Sequence, residues 1–313
     1  MSYASEREEQ LKKTVISPDI KPDLKTFWEN EVTKMRKVRL SAERKKLTTP
    51  YDKTVTTYEI SFNTHDDTVI NAYFSYPTNK KDEKLPCVCY YHGGNGSKDI
   101  HLPIVSTGVC CFAMDVRSQG GTSMDKGEYK MGDFRGSLMT RDVLYKESFY
   151  MKNIYLDAVR AVDVAATLPE VDETKIVTYG ASQGGALSMV ASALNEKVKK
   201  SYAAVPSYSC LRERVELGTG IFGPVNQFLT KYPQHTDKVF ETLSYFDMNN
   251  LVSLLKNPAS FMVGLSDPIC IPKFVYSVYY NTPAPKEVML VPFTPHTIAD
   301  EYMDFVFNEF ANI

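Results

Sequence analysis

From Leu85 onward, short apolar β-branched runs alternate with longer helical ones, and this alternation restricts the chain to very few architectures. LPCVCYYH, GVCCFAMDV, KIVTYG, SYAAVP, SFMVGLSD and EVMLVPF read as strands. FYMKNIYLDAVRAVDVAATLP and GALSMVASALN read as helices, and a last helix closes the chain. Strands this apolar are covered on both faces, so the pattern predicts an α/β fold: a mostly parallel sheet flanked by helices on each side. Two earlier runs, VTTYEISF and VINAYFSYP, are separated by the turn signal His65-Asp66-Asp67 and predict a hairpin.

Two segments stand outside the alternation. Residues 1–50 form a charge-rich helical extension in which Leu24, Phe27, Trp28, Val32 and Met35 recur at helical spacing, with Asp23 placed to cap the helix. Trp28 lies on that apolar stripe, which predicts a core role. Residues 207–257 carry Tyr and Phe with weak helical periodicity between two sheet strands, an insertion of the kind that forms lids and substrate walls. No Pro-, Gly- or Ser-rich linker divides the chain, so one domain over 1–313 is expected.

Lys and Arg number 36 against 38 Asp and Glu, a net charge of −2, so no basic excess drives binding to nucleic acid. No apolar run reaches the roughly 18 residues of a membrane helix. The opening MSYASEREEQLKK is charged where a signal peptide is apolar, which predicts a cytoplasmic protein. The six cysteines, Cys87, Cys89, Cys110, Cys111, Cys210 and Cys270, have no C-x-x-C spacing and read as reduced, buried packing residues rather than zinc ligands.

Gly180-Ala181-Ser182-Gln183-Gly184 matches G-x-S-x-G between a strand-like run and a small-residue helix, the setting in which a strained turn lifts a serine hydroxyl above a sheet. That hydroxyl needs an imidazole to take its proton and a carboxylate to orient the imidazole. In the order Ser, acid, His, only His235 and His296 of the five histidines follow Ser182, and His296 sits directly after the strand EVMLVPF. Asp267 ends the strand SFMVGLS, at the sheet edge where open α/β folds bind ligands, whereas Asp247 lies in the insertion and Asp300 follows His296. Ser182, Asp267 and His296 are therefore the expected triad. For the oxyanion, the Gln183 amide follows the nucleophile, and the glycine-rich turn His92-Gly93-Gly94-Asn95-Gly96 offers the Gly94 amide. His92 reads as structural.

Taken together, Arg117-Ser118-Gln119-Gly120-Gly121, Gly180-Ala181-Ser182-Gln183-Gly184-Gly185 and His296-Thr297 resemble the R-G-Q-G-G, G-x-S-Q-G-G and H-E signatures of the acetyl xylan esterases and cephalosporin-C deacetylases of carbohydrate esterase family seven. The similarity extends to Phe27-Trp28, FETLSYFD (240–247) and GLSDPICIP (264–272). It implies an α/β-hydrolase fold, no metal or other cofactor, and an intracellular serine esterase. The implied substrates are small acetylated sugars and antibiotics such as cephalosporin C, and the implied assembly is a ring-like homohexamer. Arg117 and Gln119 are expected to brace the oxyanion loop. Three positions depart from the pattern: Gly94 replaces a tyrosine and predicts a wider acyl pocket, Ser118 replaces a glycine, and Thr297 replaces a glutamate. The competing readings are a serine peptidase or other carboxylesterase of the same fold, for which no large filtering domain or apolar lid is present, and a non-catalytic binding protein.

Overall fold

The alternating part of the chain folds as its pattern requires. The computed structural model describes residues 2–313, and its nine strands form one sheet in the order β1-β2-β3-β5-β4-β6-β7-β8-β9. Helices α1 (Tyr3–Lys12) and α2 (Leu24–Lys37) come first, followed by β1 (Ala42–Lys46), β2 (Val55–Asn63) and β3 (Val69–Pro77). These three strands are antiparallel, and β2 and β3 form the hairpin expected around His65-Asp66-Asp67. From β4 (Leu85–Tyr91) onward the chain winds through α3 (Leu102–Ser106), β5 (Cys110–Met114), α4 (Tyr150–Ala165), β6 (Val171–Ala181), α5 (Gln183–Leu194) and β7 (Val198–Ala204). Then come α6 (Leu211–Leu217), α7 (Gly223–Lys231), α8 (Thr236–Ser244) and α9 (Met248–Leu251), which occupy the insertion. The sheet resumes with β8 (Ala259–Gly264), followed by α10 (Pro272–Asn281), β9 (Lys286–Val291) and α11 (Asp300–Ala311). From β5 to β9 every neighbouring pair is parallel.

Strand alternation divides the apolar residues between two cores. On β4, Cys87, Cys89 and Tyr91 join the core under α2, α4 and α5, while Val88 joins the one under α3 and α11. All six cysteines are free and buried, as their apolar surroundings predict. Trp28 is completely buried, and its Nε1–H donates to the Tyr245 carbonyl at 2.9 Å, fastening α2 to the insertion. One detail differs from expectation, and one element carries no prediction from the sequence. Asp23 makes no cap bond; its carboxylate instead accepts the Tyr245 hydroxyl at 2.5 Å, a tertiary contact outcompeting the local one. The run PKFVYSVYYN, rich in β-branched and aromatic residues, is the helix α10, begun by Pro272 at its first turn and packed through Phe274, Val275 and Val278. Among the described residues no helix is long and apolar enough to cross a membrane.

The loop after β5 is held by many side-chain bonds. Buried Asp115 accepts the backbone N–H groups of Lys98 and Thr122 at 2.7 and 2.8 Å, together with the Lys98 ammonium at 3.0 Å. A β-carbon on Gly121 would overlap that carboxylate, so only glycine fits there. Arg117 is completely buried. It bonds Asp157 of α4 in bidentate fashion, 2.7 Å from Nε and from one terminal nitrogen, and reaches Asp66 of the hairpin turn at 2.5 Å and Asp125 at 3.1 Å. Between these anchors Ser118 is held at φ +56°, the left-handed region that glycine occupies without penalty. An L-residue there costs about 1–2 kcal/mol, of which glycine's greater freedom in the unfolded chain offsets about half. Ser118→Gly is therefore expected to stabilise the fold by about 0.5–1 kcal/mol, read as a higher urea midpoint at unchanged slope; a lower midpoint would show that the strain assignment is wrong.

Candidate active site

The turn that carries Ser182 is shaped by its glycines. A β-carbon on Gly184 would overlap the carbonyl oxygen of Tyr91, so α5 can begin against the end of β4 only if that residue is glycine. Ser182 then sits at φ +55° and ψ −121°, a conformation costing roughly 1–3 kcal/mol that persists because its surroundings fix it. Its N–H donates to the Ala204 carbonyl and its own carbonyl accepts the Ser207 N–H, each at 3.0 Å, which pins the turn to the end of β7. Ser182 lines a cavity of about 860 Å³ together with Gly94, Gln119, Gln183, Ser207 and Cys270. That volume is in the range of small-ligand sites. A second cavity, of about 960 Å³, lies by α2, α4 and α5 and contains none of the predicted residues.

His296 and Asp267 meet as the sequence order suggests. The His296 Nδ1–H donates to Asp267 Oδ2 at 2.8 Å, which orients the ring. The other oxygen, Oδ1, accepts the N–H groups of Ile269 and Cys270, both at 2.8 Å. Burial pushes the Asp267 carboxyl up, but the bonds from His296 and the two amides outweigh it and hold it below the usual range. The same bond from Asp267, with the Cys270 side chain next to it, raises the imidazole above its ordinary value. Ser182 Oγ makes no hydrogen bond among the described residues, and a bond from serine to imidazole commonly tightens only when substrate is bound.

The other candidates lie in different surroundings. Asp247 is a buried cap whose carboxylate accepts the N–H groups of Cys210, Leu211 and Asn249, and burial pushes it up to about 6. Asp300 opens α11. His235 packs on Phe228 with ring centroids 6.0 Å apart, in the insertion. His92 bonds the Gly93 carbonyl through Nδ1 and accepts the Val116 N–H at Nε2, so both its nitrogens are engaged in holding the loops.

The amides of Gly94 and Gln183 donate to no group among the described residues, and both residues line the cavity beside Ser182. Their spacing is set by a reciprocal amide pair. Gln119 Nε2 donates to Gln183 Oε1 at 2.8 Å and Gln183 Nε2 donates back to Gln119 Oε1 at 2.9 Å, while Gln119 Oε1 also accepts the Asn95 N–H at 3.0 Å. The contact with the glycine turn is thus made by Gln119. Arg117 acts at one remove, its carbonyl accepting the Tyr150 hydroxyl at 2.7 Å while its guanidinium serves the hairpin and α4. Sequence reasoning missed Tyr208, whose hydroxyl donates to Gln183 Oε1 at 2.6 Å, and Ser207, whose buried hydroxyl has no partner among the described residues and lines the cavity. Only their position directly after β7, beside the serine turn, could have marked them.

With this geometry in view, comparison with known proteins is specific. The family model for acetyl xylan esterase matches residues 7–312. The chain is 26% identical over 287 residues to acetyl esterase Axe7A of Xylanibacter ruminicola; the match spans 89% of this chain but only 64% of that protein's length. An acetyl xylan esterase from Paenibacillus sp. R4 superposes with a TM-score of 0.91 at 29% identity, covering 97% of this chain and 98% of its own. Acetyl xylan esterase 1 from Thermoanaerobacterium sp. JW/SL YS485 superposes at 0.89 with 25% identity and the same coverage. A cold-adapted esterase from an Arctic intertidal metagenomic library, 13% identical with a TM-score of 0.57, shares the fold alone. The sheet is that of an α/β-hydrolase, and the chain belongs to the acetyl xylan esterase family.

Proposed function

We propose that this chain is a serine esterase that removes acetyl and other short acyl groups from small acetylated substrates, among them acetylated xylo-oligosaccharides and cephalosporin C. The observation that carries the reading is the 2.8 Å bond from His296 to Asp267 at the same sheet edge as a serine held at φ +55° over the cavity. Ser182 Oγ attacks the ester carbonyl as the His296 imidazole takes its proton. The tetrahedral oxyanion is held by the Gly94 and Gln183 N–H groups, which need no reorganisation because Gln119 already spaces them. His296 returns the proton to the leaving alcohol; water then attacks the acyl-enzyme by the reverse sequence and releases the acid. The mixed polar and apolar wall of the cavity supports a small hydroxylated alcohol. The assembly of copies into a homohexamer and a cytoplasmic location belong to the same proposal.

Hydrolysis of p-nitrophenyl acetate tests the chemistry. Ser182→Ala is expected to lower kcat by at least about 10⁴-fold with the fold intact; wild-type activity no higher than the mutant's on any ester would overturn the triad and favour a binding protein. A peptidyl nitroanilide cleaved faster than the acetate would favour a peptidase. The pH profile is a separate prediction. Catalysis requires neutral His296, and a raised pKa keeps the ring protonated to higher pH, so the acid limb of kcat/KM lies above the ordinary imidazole value of 6.5. A limb below 6.5 would contradict the His296–Asp267 coupling.

Acyl length is set at Gly94, where a β-carbon would meet nothing within 4 Å. Wild-type turnover is expected to decline only gently from acetyl to butyryl esters. Gly94→Tyr should fill the open space, sparing the acetyl ester while cutting the butyryl rate by about tenfold or more. An unchanged acetyl-to-butyryl ratio in the variant would place the acyl group elsewhere.

A further inference from the structure

Three residues after the triad acid, Cys270 has a position that the esterase chemistry does not use. Asp267 Oδ1 accepts the Cys270 N–H, which turns that residue back toward the histidine, and donor atoms of Asp267, Cys270 and His296 all lie within 4.8 Å of one another. Asp267 and Cys270 are buried, and Cys270 lines the same cavity as Ser182, which gives an ion a route toward the three donors. No other group of three such donors lies this close among the described residues.

We propose that Cys270, His296 and Asp267 form an inhibitory binding site for a thiophilic divalent cation of the Zn²⁺ type. One sulfur, one imidazole nitrogen and one carboxylate oxygen make a three-ligand set that leaves a fourth position for water. Zinc bonds of about 2.0–2.3 Å put donors roughly 3.5 Å apart, so the side chains close on the ion by about 1 Å. Thiolate and imidazole together select zinc over magnesium or calcium, which prefer oxygen. On binding, the Cys270 thiol releases its proton to solvent, the ligating nitrogen of His296 gives up any proton it holds so that the one ring proton sits on the other nitrogen, zinc gains sulfur, nitrogen and oxygen bonds, and no electron is transferred. An imidazole coordinated to the ion cannot take the Ser182 proton, so occupancy and turnover exclude one another. The inhibitory consequence rests on the esterase reading, whereas binding itself does not.

The test uses the full chain, kept reduced without a thiol or chelator in the buffer. Zn²⁺ added to the p-nitrophenyl acetate assay is expected to inhibit reversibly, with recovery on EDTA and no effect of Mg²⁺. Co²⁺ is expected to give a thiolate-to-cobalt charge-transfer band that saturates at one ion per chain. Cys270→Ser and Cys270→Ala should abolish that band and raise the zinc midpoint by at least about tenfold, each judged against its own metal-free rate. His296→Gln should weaken the band with the sulfur still present. Absence of the band from the wild type, or the same zinc midpoint in wild type and both Cys270 variants, would overturn the site. If no ester is hydrolysed, the esterase reading fails while the cobalt titration still decides the site.

Discussion

The buried guanidinium of Arg117 is the interaction on which the site's geometry depends. Stripping a charge of water costs several kcal/mol, and the structure offsets this with the bidentate bond to Asp157 and further bonds to Asp66, Asp125 and Thr64. Its carboxylates come from α4, from the β2–β3 turn and from the loop after β5, so one side chain ties three segments together. The three acids do not share it equally. Burial pushes the Asp157 carboxyl up to about 6 despite Arg117, whereas at half-buried Asp66 the bonds from Arg117 outweigh burial and hold the carboxyl far down. Removing the arginine would leave Asp157 buried and unpaired, which is why such a charge is far more costly to break than to build.

Rigidity at Arg117 becomes useful two residues later. Gln119 can hold Gln183 and the Asn95 amide together only if its own backbone is fixed, and the positive φ of Ser118 is the local cost of turning the chain between the two roles. An oxyanion hole works because its dipoles are aimed before charge develops. In the proposed hole one donor belongs to the first residue of α5 and the other to a glycine turn after β4, and a side-chain amide pair bridges these two elements. Tyr208 adds a third contact to Gln183, so the amide cannot rotate without breaking several bonds at once.

Legibility in the sequence follows how local each cause is. The Ser182 turn could be read because its glycines act over five residues, and Asp267 and His296 because strand ends and chain order restrict the choice. β1 escaped notice because Ala42–Lys46 is almost wholly charged; it is an edge strand whose charges discourage further pairing, with Arg44 bonded to Glu170. α10 goes unmarked because its run is rich in β-branched and aromatic residues, and its helical state is set by packing against the sheet. The diversion of Asp23 from its cap to Tyr245, the partners of Arg117 and the approach of Cys270 to His296 all depend on residues distant in sequence or on a turn geometry that spacing does not encode.

Asp267 shows how these levels meet in one group. A carboxylate has acceptor capacity on both oxygens, and here one oxygen orients the imidazole while the other ties down the Ile269 and Cys270 amides. The residue that sets the histidine's proton affinity therefore also shapes the cavity wall from Pro268 to Ile271. That wall is joined to the imidazole through bonds of 2.8 Å, so in the proposed mechanism the loop's sequence bears on both substrate fit and the basicity of His296. On the proposed mechanism, a chain built this way couples substrate fit along this edge to its pH dependence, and variation in substrate range is freer at Gly94 and in the helices of the insertion.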